Sequence, residues 1–225
     1  MIACVIPARG GSKRIPRKNI RSFAGRPMIA WSIAAAATAN VFDRIIVSTD
    51  DAEIAEVARS EGAEVPFTRP AELANDHAGT VPVIAHAADW LGPEVEAVCC
   101  LYATAPFVSP DDLVEGGRRL RTGAYTYVFS ATPFPAPVQR GFTLAEGRPS
   151  MLFPEMFGTR SQDLPEVYHD AGQFYWARPE TWIAGTPVFS ESASVVRVPA
   201  WRVCDIDTEE DWQRAERMMR AGFDA

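Results

Sequence analysis

The stretch Pro7–Asn19, read as Pro-Ala-Arg-Gly-Gly-Ser-Lys-Arg-Ile-Pro-Arg-Lys-Asn, gathers the groups best suited to hold an anion. Arg9, Lys13, Arg14, Arg17, Lys18, Arg21 and Arg26 are cationic, and no Asp or Glu precedes Asp43. Lys13 and Lys18 are the only lysines of the chain; elsewhere its cations are arginines. A loop this positive repels itself unless an anion sits in it. Gly10 and Gly11 let the backbone approach that anion closely and turn N–H groups toward it. A polyphosphate is the expected guest. The loop matches neither Gly-x-x-x-x-Gly-Lys-Ser/Thr nor Gly-x-Gly-x-x-Gly. The competing reading is a solvated basic face.

A second set of chemical groups lies near the other end of the chain, in Asp205-Ile206-Asp207. Side chains alternate along an extended strand, so the two aspartates face one way and Ile206 faces the core. Carboxylates this close repel unless a cation lies between them. A hard divalent ion such as Mg²⁺ suits oxygen ligands and keeps water and phosphate oxygens in its remaining positions. Asp207 and Thr208 also read as caps of a terminal helix.

Elements that could position these groups follow from periodicity. Ile2–Ile6 is an apolar run that ends directly before the basic loop. Ile29, Ile33 and Ala36–Ala37 line one face of a helix starting near Pro27. Arg44–Thr49 is a second strand, and Asp50 and Asp51 cap a helix carrying Ile54, Val57 and Ala58. Glu64–Phe67 reads as a short third strand, followed by a helix from about Thr80 to Leu91. Ala97–Tyr102 is the most apolar strand and is expected at the centre, with a helix after Ser109-Pro110. Strand–loop–helix alternation of this kind predicts an α/β fold, a doubly wound and mostly parallel sheet in a single domain, 1–225. Ligands in such sheets bind beyond the carboxyl ends of the strands. That rule places Arg9, Ser48–Asp50 and Tyr102–Thr104 on one rim.

After a strand at Tyr125–Thr132 the rhythm breaks. Residues of about 133–166 are crowded with prolines and still carry Phe142, Leu144, Met151, Leu152, Phe153, Met156 and Phe157. Such an apolar excursion needs a partner surface, and a two-fold pairing of identical chains, a homodimer, is expected to supply it. Ala171–Trp176 returns to the sheet, Val195–Pro199 is extended, and Arg202–Asp207 reads as a last strand before a helix ending near Met219.

Composition narrows the class. The chain has 225 residues, 47% of them apolar and 23% charged, with a net charge of −7. The acidic balance argues against nucleic acid as a partner. No stretch approaches the ~20 apolar residues of a membrane helix, and Ile2–Ile6 runs at once into charge, unlike a signal peptide. Cys4, Cys99, Cys100 and Cys204 lie in or beside apolar runs without a Cys-x-x-Cys, as in a cytoplasmic protein with reduced thiols. His77, His86 and His169 have no metal-ligand spacing. No Gly-x-Ser-x-Gly accompanies a Ser/His/Asp order, which leaves acyl chemistry unsupported.

Ala8-Arg9-Gly10-Gly11-Ser12-Lys13, Ile15-Pro16 and Lys18-Asn19 resemble the signature of the cytidylyltransferases that activate nonulosonic acids, the sialic-acid-type sugars. The resemblance continues in Asp43–Asp50, in Arg69-Pro70-Ala71-Glu72-Leu73-Ala74, at the Thr104 turn, and in Asp205-Ile206-Asp207-Thr208-Glu209-Glu210-Asp211, similar to that family's metal-binding segment. It implies a Rossmann-like nucleotidyltransferase fold, with CTP and an acidic nine-carbon sugar as substrates and Mg²⁺ as cofactor. It also implies a dimer formed through the excursion. Arg9, Lys13 and Lys18 would hold the triphosphate, and Asp205 and Asp207 the metal. Ala8, Gly10, Gly11, Ser12, Asn19, Arg69, Thr80 and Thr104 would surround the nucleotide. Tyr102, Arg160, Gln162, His169, Asp170 and Gln173 are the sugar candidates, Arg160 offering a bidentate fork for a carboxylate. One departure bears on the sugar. Sialic-acid members typically carry Gln-Pro-Thr-Ser-Pro where this chain has Tyr102-Ala103-Thr104-Ala105-Pro106. Thr159–Leu164 and Tyr168–Trp176 are instead similar to the branch acting on pseudaminic acid, with sialic and legionaminic acid as alternatives. A nucleotide sensor without catalysis is the rival from another class.

Overall fold

Ile2-Ala3-Cys4-Val5-Ile6 has no polar side chain to offer water on either side, and the strand it forms is covered on both. Cys4 and Ile6 pack into one apolar cluster and Ala3 and Val5 into another. The computed structural model describes residues 1–222. In chain order its strands and helices are β1 (Ile2–Pro7), β2 (Ser22–Phe23), β3 (Arg26–Pro27), α1 (Met28–Ala39), β4 (Arg44–Ser48), α2 (Ala52–Ser60) and α3 (Thr80–Leu91). Then follow β5 (Ala97–Leu101), α4 (Pro110–Arg121), β6 (Tyr127–Pro133), β7 (Phe142–Ala145), β8 (Arg148–Met151), β9 (Tyr168–Ala177), α5 (Pro179–Ile183), β10 (Ser194–Arg197) and α6 (Glu209–Arg220).

Six strands form the main sheet in the order β10-β6-β9-β5-β1-β4. β1 lies parallel to both β4 and β5, and β10 is parallel to β6. β9 is antiparallel to β5 and β6. The reason is topological. The excursion leaves β6 at its carboxyl end and returns to the same end, so the next strand must run backwards. His169 and Asp170, at the start of β9, therefore sit on the rim formed by the ends of β1, β4 and β5. One face of the sheet buries Ile29 and Ile33 of α1, Ile54 and Ala58 of α2, and Leu113 and Leu120 of α4. The other buries Ile84 and Ala87 of α3 and Trp182 of α5. α4 approaches closely because Gly116 and Gly117 lie against Trp176, where a Cβ on Gly116 would come within 2.6 Å of the indole. Trp176 is thus a core residue, stacked on Phe42 at 5.2 Å.

Two expected strands are absent as strands. Glu64–Phe67 makes only isolated bridges, Ile46 with Glu64 and Thr49 with Thr68. Pro66, with no N–H to donate, interrupts the ladder between them. Arg202–Asp207 passes through a short 3-10 turn at Ala200–Arg202 and then runs extended outside the sheet. Ile206 is locked into a third cluster with Ile15, Phe23, Phe107 and Trp212, which draws the segment away from any strand edge. Ile206 is buried there, while Asp205 is exposed and Asp207 half-buried.

In the excursion, β7 and β8 form a hairpin. Phe142, Leu144, Leu152, Phe153 and Phe157 are exposed on it, and Met151 and Met156 are half-buried. Among the described residues no helix is long and apolar enough to cross a membrane.

Candidate active site

The basic loop is anchored at both ends and in the middle. Ala8 N–H donates to the Ser48 carbonyl at 2.9 Å. Asn19, itself buried, donates its side-chain amide to the Arg9 carbonyl at 3.0 Å. Ile15 is fully buried. Arg17 has a left-handed backbone, φ 57°, and its guanidinium grips Asp51 at 2.6 and 2.9 Å. Asp51 also caps α2 by accepting from Ile54 N–H, and its carboxyl is lowered from 3.8 to about 2, chiefly by Arg17. Gly10 packs against this pair: a Cβ there would lie 2.5 Å from Asp51 Oδ2. Its N–H donates to Asp50 at 3.1 Å. Gly10 therefore serves packing inside the chain, whereas Gly11 has open space where a Cβ would stand.

Above the loop is a cavity of about 420 Å³ lined by Arg9, Ser12, Lys13, Arg14, Lys18, Asn19, Arg69, Asp76, Thr80, Tyr102 and Thr104, among others. Its floor cation, Arg69, is buried and donates to the hydroxyl and carbonyl of Ser48. Burial pushes the Arg69 guanidinium down to about 10, so it remains charged at neutral pH. Arg9 and Lys13 both reach Asp76, Arg9 at 2.6 Å, and these contacts hold the Asp76 carboxyl below its ordinary range. Asp76 gave no signal in the sequence, since it sits in a polar stretch without periodicity. It is held toward the cations by a local turn in which Asn75 Oδ1 accepts from the His77 and Ala78 N–H groups.

A second cavity, about 610 Å³, adjoins the first and shares Tyr102 and Thr104 with it. Thr132, His169, Asp170, Tyr175, Cys204, Asp205 and Arg214 also line it. Tyr102 donates or accepts at Thr80 Oγ1, 2.8 Å away, and burial raises its phenol. Tyr175 donates to Asp170 Oδ2, and the second oxygen of Asp170 accepts from Gly172 N–H at 2.9 Å. His169 Nδ1 faces the Asp170 carbonyl at 2.8 Å; a carbonyl only accepts, so the proton sits on Nδ1.

The two aspartates bridge the cavities. Asp205 lines the second. Asp207 pairs with Arg14 at 2.8 Å and with Lys18 at 3.5 Å, both of which line the first. Burial and the neighbouring charge of Asp207 push the Asp205 carboxyl up. The helix cap falls to other residues: Thr208 and Asp211 form a reciprocal capping box on α6. Among the described residues no group of three or more His, Cys, Asp or Glu could hold a metal by itself. Asp205, open to the second cavity, and Asp207, paired with cations of the first, offer the hard oxygen ligands that would suit Mg²⁺ completed by water and phosphate oxygens, and they do not fit a closed zinc site.

Three expected sugar residues lie elsewhere. Gln173 is buried and donates to the Arg202 carbonyl at 2.7 Å. Arg160 and Gln162 are exposed on the excursion, Arg160 pairing with Asp163 at 2.6 Å, and neither lines either cavity. Thr132 and Arg214 entered the second cavity unannounced, one as a strand residue and the other as one of many arginines on a polar helix.

The chain matches the family model described as Cytidylyltransferase over residues 3–135. It is 41% identical to a protein of Campylobacter jejuni named pseudaminic acid cytidylyltransferase, covering 99% of this chain and 97% of that one. It is 34% identical to an N-acylneuraminate cytidylyltransferase of Danio rerio, over 98% of this chain and 52% of the relative. Its fold resembles that of a CMP:2-keto-3-deoxy-manno-octonic acid synthetase solved with CTP, with a TM-score of 0.74 at 18% identity, over 98% of both chains. With more than half of its length under the family model, and a near full-length relative besides, the chain belongs to the cytidylyltransferase family.

Proposed function

We propose that the protein transfers CMP from CTP to pseudaminic acid and releases pyrophosphate. The observation that carries this reading is the 41% identity to the Campylobacter jejuni pseudaminic acid cytidylyltransferase, spread over nearly the whole of both chains. The paired cavities are compatible with it. The cation-lined cavity suits a triphosphate, and the adjoining one, of about 610 Å³, has room for a sugar.

In this mechanism the sugar's anomeric hydroxyl attacks the α-phosphorus of CTP from the second cavity, and pyrophosphate leaves into the first. Arg9, Lys13 and Lys18 hold the triphosphate and neutralise charge growing on the leaving group. Asp76 pairs with Arg9 and Lys13, and Asp207 with Lys18, and binding the triphosphate exchanges these contacts for phosphate oxygens. Asp205 and Asp207 would hold Mg²⁺, which would polarise the α-phosphate and favour ionisation of the attacking hydroxyl. Ser12, Arg69 and Thr80 border the nucleotide, and Tyr102 and Thr104 stand between the two substrates. Asp170, fixed by Tyr175 and Gly172, presents a carboxylate to sugar N–H or hydroxyl donors. Arg160 and Gln162 would serve a sugar only across the two-fold interface of a homodimer built on the excursion. The four cysteines are free, which agrees with a cytoplasmic enzyme.

Pyrophosphate release with CTP and a panel of nonulosonic acids tests the reading. Pseudaminic acid should give a kcat/KM at least about tenfold above that of N-acetylneuraminic acid, because a site built for particular hydrogen bonds rejects sugars that lack them. Equal values would favour a sialic or legionaminic acid synthetase, and no turnover with any sugar a nucleotide sensor.

A further inference from the structure

A 2-keto sugar acid carries its carboxylate on the same carbon as the reacting anomeric hydroxyl. Any pose that delivers that hydroxyl to a phosphate beside Asp205 and Asp207 must therefore bring a carboxylate into the second cavity, within a few ångströms of the reacting atoms. The fixed side-chain charges lining that cavity are Asp170 and Asp205, which repel it, and the guanidinium of Arg214. No other arginine or lysine lines it among the described residues. We propose, on the basis of the function argued above, that Arg214 receives the carboxylate of the acceptor sugar.

Several observations support this assignment. Arg214 lies in the second turn of α6, on the helix whose amino end follows directly from Asp205–Asp207. Its guanidinium is positioned: one nitrogen lies 3.2 Å from Asp211 Oδ1 and 3.5 Å from Cys204 Sγ. The side chain remains 60% exposed, so it is open to a ligand. Asp211, its partner, already serves the capping box through Oδ2, which fixes the carboxylate from which Arg214 is held.

The test compares pseudaminic acid with its C1 primary amide, at saturating CTP and Mg²⁺. Wild type should prefer the acid in kcat/KM by about tenfold or more, as expected for a charge-assisted hydrogen bond. Arg214→Gln should lose that preference, raise KM for the acid by about the same factor, and leave KM for CTP within about twofold. Arg214→Lys should retain part of the preference, since it keeps the charge without the fork. A role confined to bracing Asp211 and Cys204 would depress acid and amide alike and lower the thermal midpoint. That result, or a preference that survives Arg214→Gln and disappears in Arg160→Gln, overturns the assignment. If wild type turns over neither compound, the proposed function itself fails, an outcome distinct from an Arg214 variant that behaves like wild type.

Discussion

Lys18 Nζ donates to the backbone carbonyl of Ile206 at 2.6 Å and lies 3.5 Å from Asp207 Oδ1, joining residues at opposite ends of the chain. This contact ties the basic loop to the aspartate segment. It makes the two lysines unequal: Lys18 is 19% exposed and clamped, whereas Lys13 is 79% exposed and pairs with Asp76. Lys13→Ala and Lys18→Ala should each reduce kcat/KM for CTP by about tenfold or more, near 1.4 kcal/mol. Only Lys18→Ala should also lower the thermal midpoint. Steady-state kinetics with CTP and thermal scans on both variants check this, and two wild-type-like kcat/KM values would leave the loop a solvated basic face.

Asp207→Asn should abolish turnover at limiting Mg²⁺ while the fold persists. Thr208 and Asp211, not Asp207, cap α6, so an amide at position 207 leaves the helix end intact. It removes a hard anionic ligand and the ion pair to Arg14. Activity measured across a Mg²⁺ series, beside circular dichroism, reads the two effects separately. Undiminished activity at low Mg²⁺ would end the metal role.

The Arg17–Asp51 pair should make stability depend on pH in the acid range. The folded-state carboxyl of Asp51 titrates near 2 rather than 3.8. A depressed value means that its stabilisation is fully present above the unfolded-chain value of about 3.9 and is lost as pH falls toward 2. Allowing for solvent at Arg17, the contribution is on the order of 1–2 kcal/mol. Asp51→Asn should therefore lower stability at pH 7 by about that amount and narrow its gap from wild type as pH drops to about 2. Urea unfolding at several pH values measures it. A gap of constant size would show that the pair contributes nothing through its charge.

The exposed apolar hairpin should be an interface. Light scattering at micromolar concentration is expected to give about twice the 24.7 kDa chain mass. Leu144→Asp with Phe157→Asp, two of the most exposed apolar positions on the excursion, should return it to a monomer without unfolding it. Mixing an Arg160→Ala chain with an Asp207→Asn chain then asks whether sites are shared. Activity recovered through mixed dimers means that Arg160 of the partner subunit reaches the sugar; none, after proven subunit exchange, confines each site to one chain.

The local chemistry of the chain was legible in its sequence. Clustered cations around Gly10–Gly11, the alternation at Asp205–Asp207, the apolar runs of β1 and β5, and the capping signals at Asp51 and Thr208 each depend on neighbours a few residues away. The family resemblance was legible in such ordered short segments as well. What needed the tertiary structure depends on residues far apart in sequence. The antiparallel placement of β9 follows from where the excursion re-enters the sheet, and it brings His169 and Asp170 to the rim while turning Gln173 inward to the Arg202 carbonyl. Packing of Ile206 against Ile15 and Trp212 lifts Asp205–Asp207 out of the sheet and over the basic loop. Asp76, Thr132 and Arg214 have no motif around them. They acquire meaning only when folding places them beside charges or cavities contributed by other elements, because electrostatic and hydrogen-bond energies are set by distance in space and not along the chain.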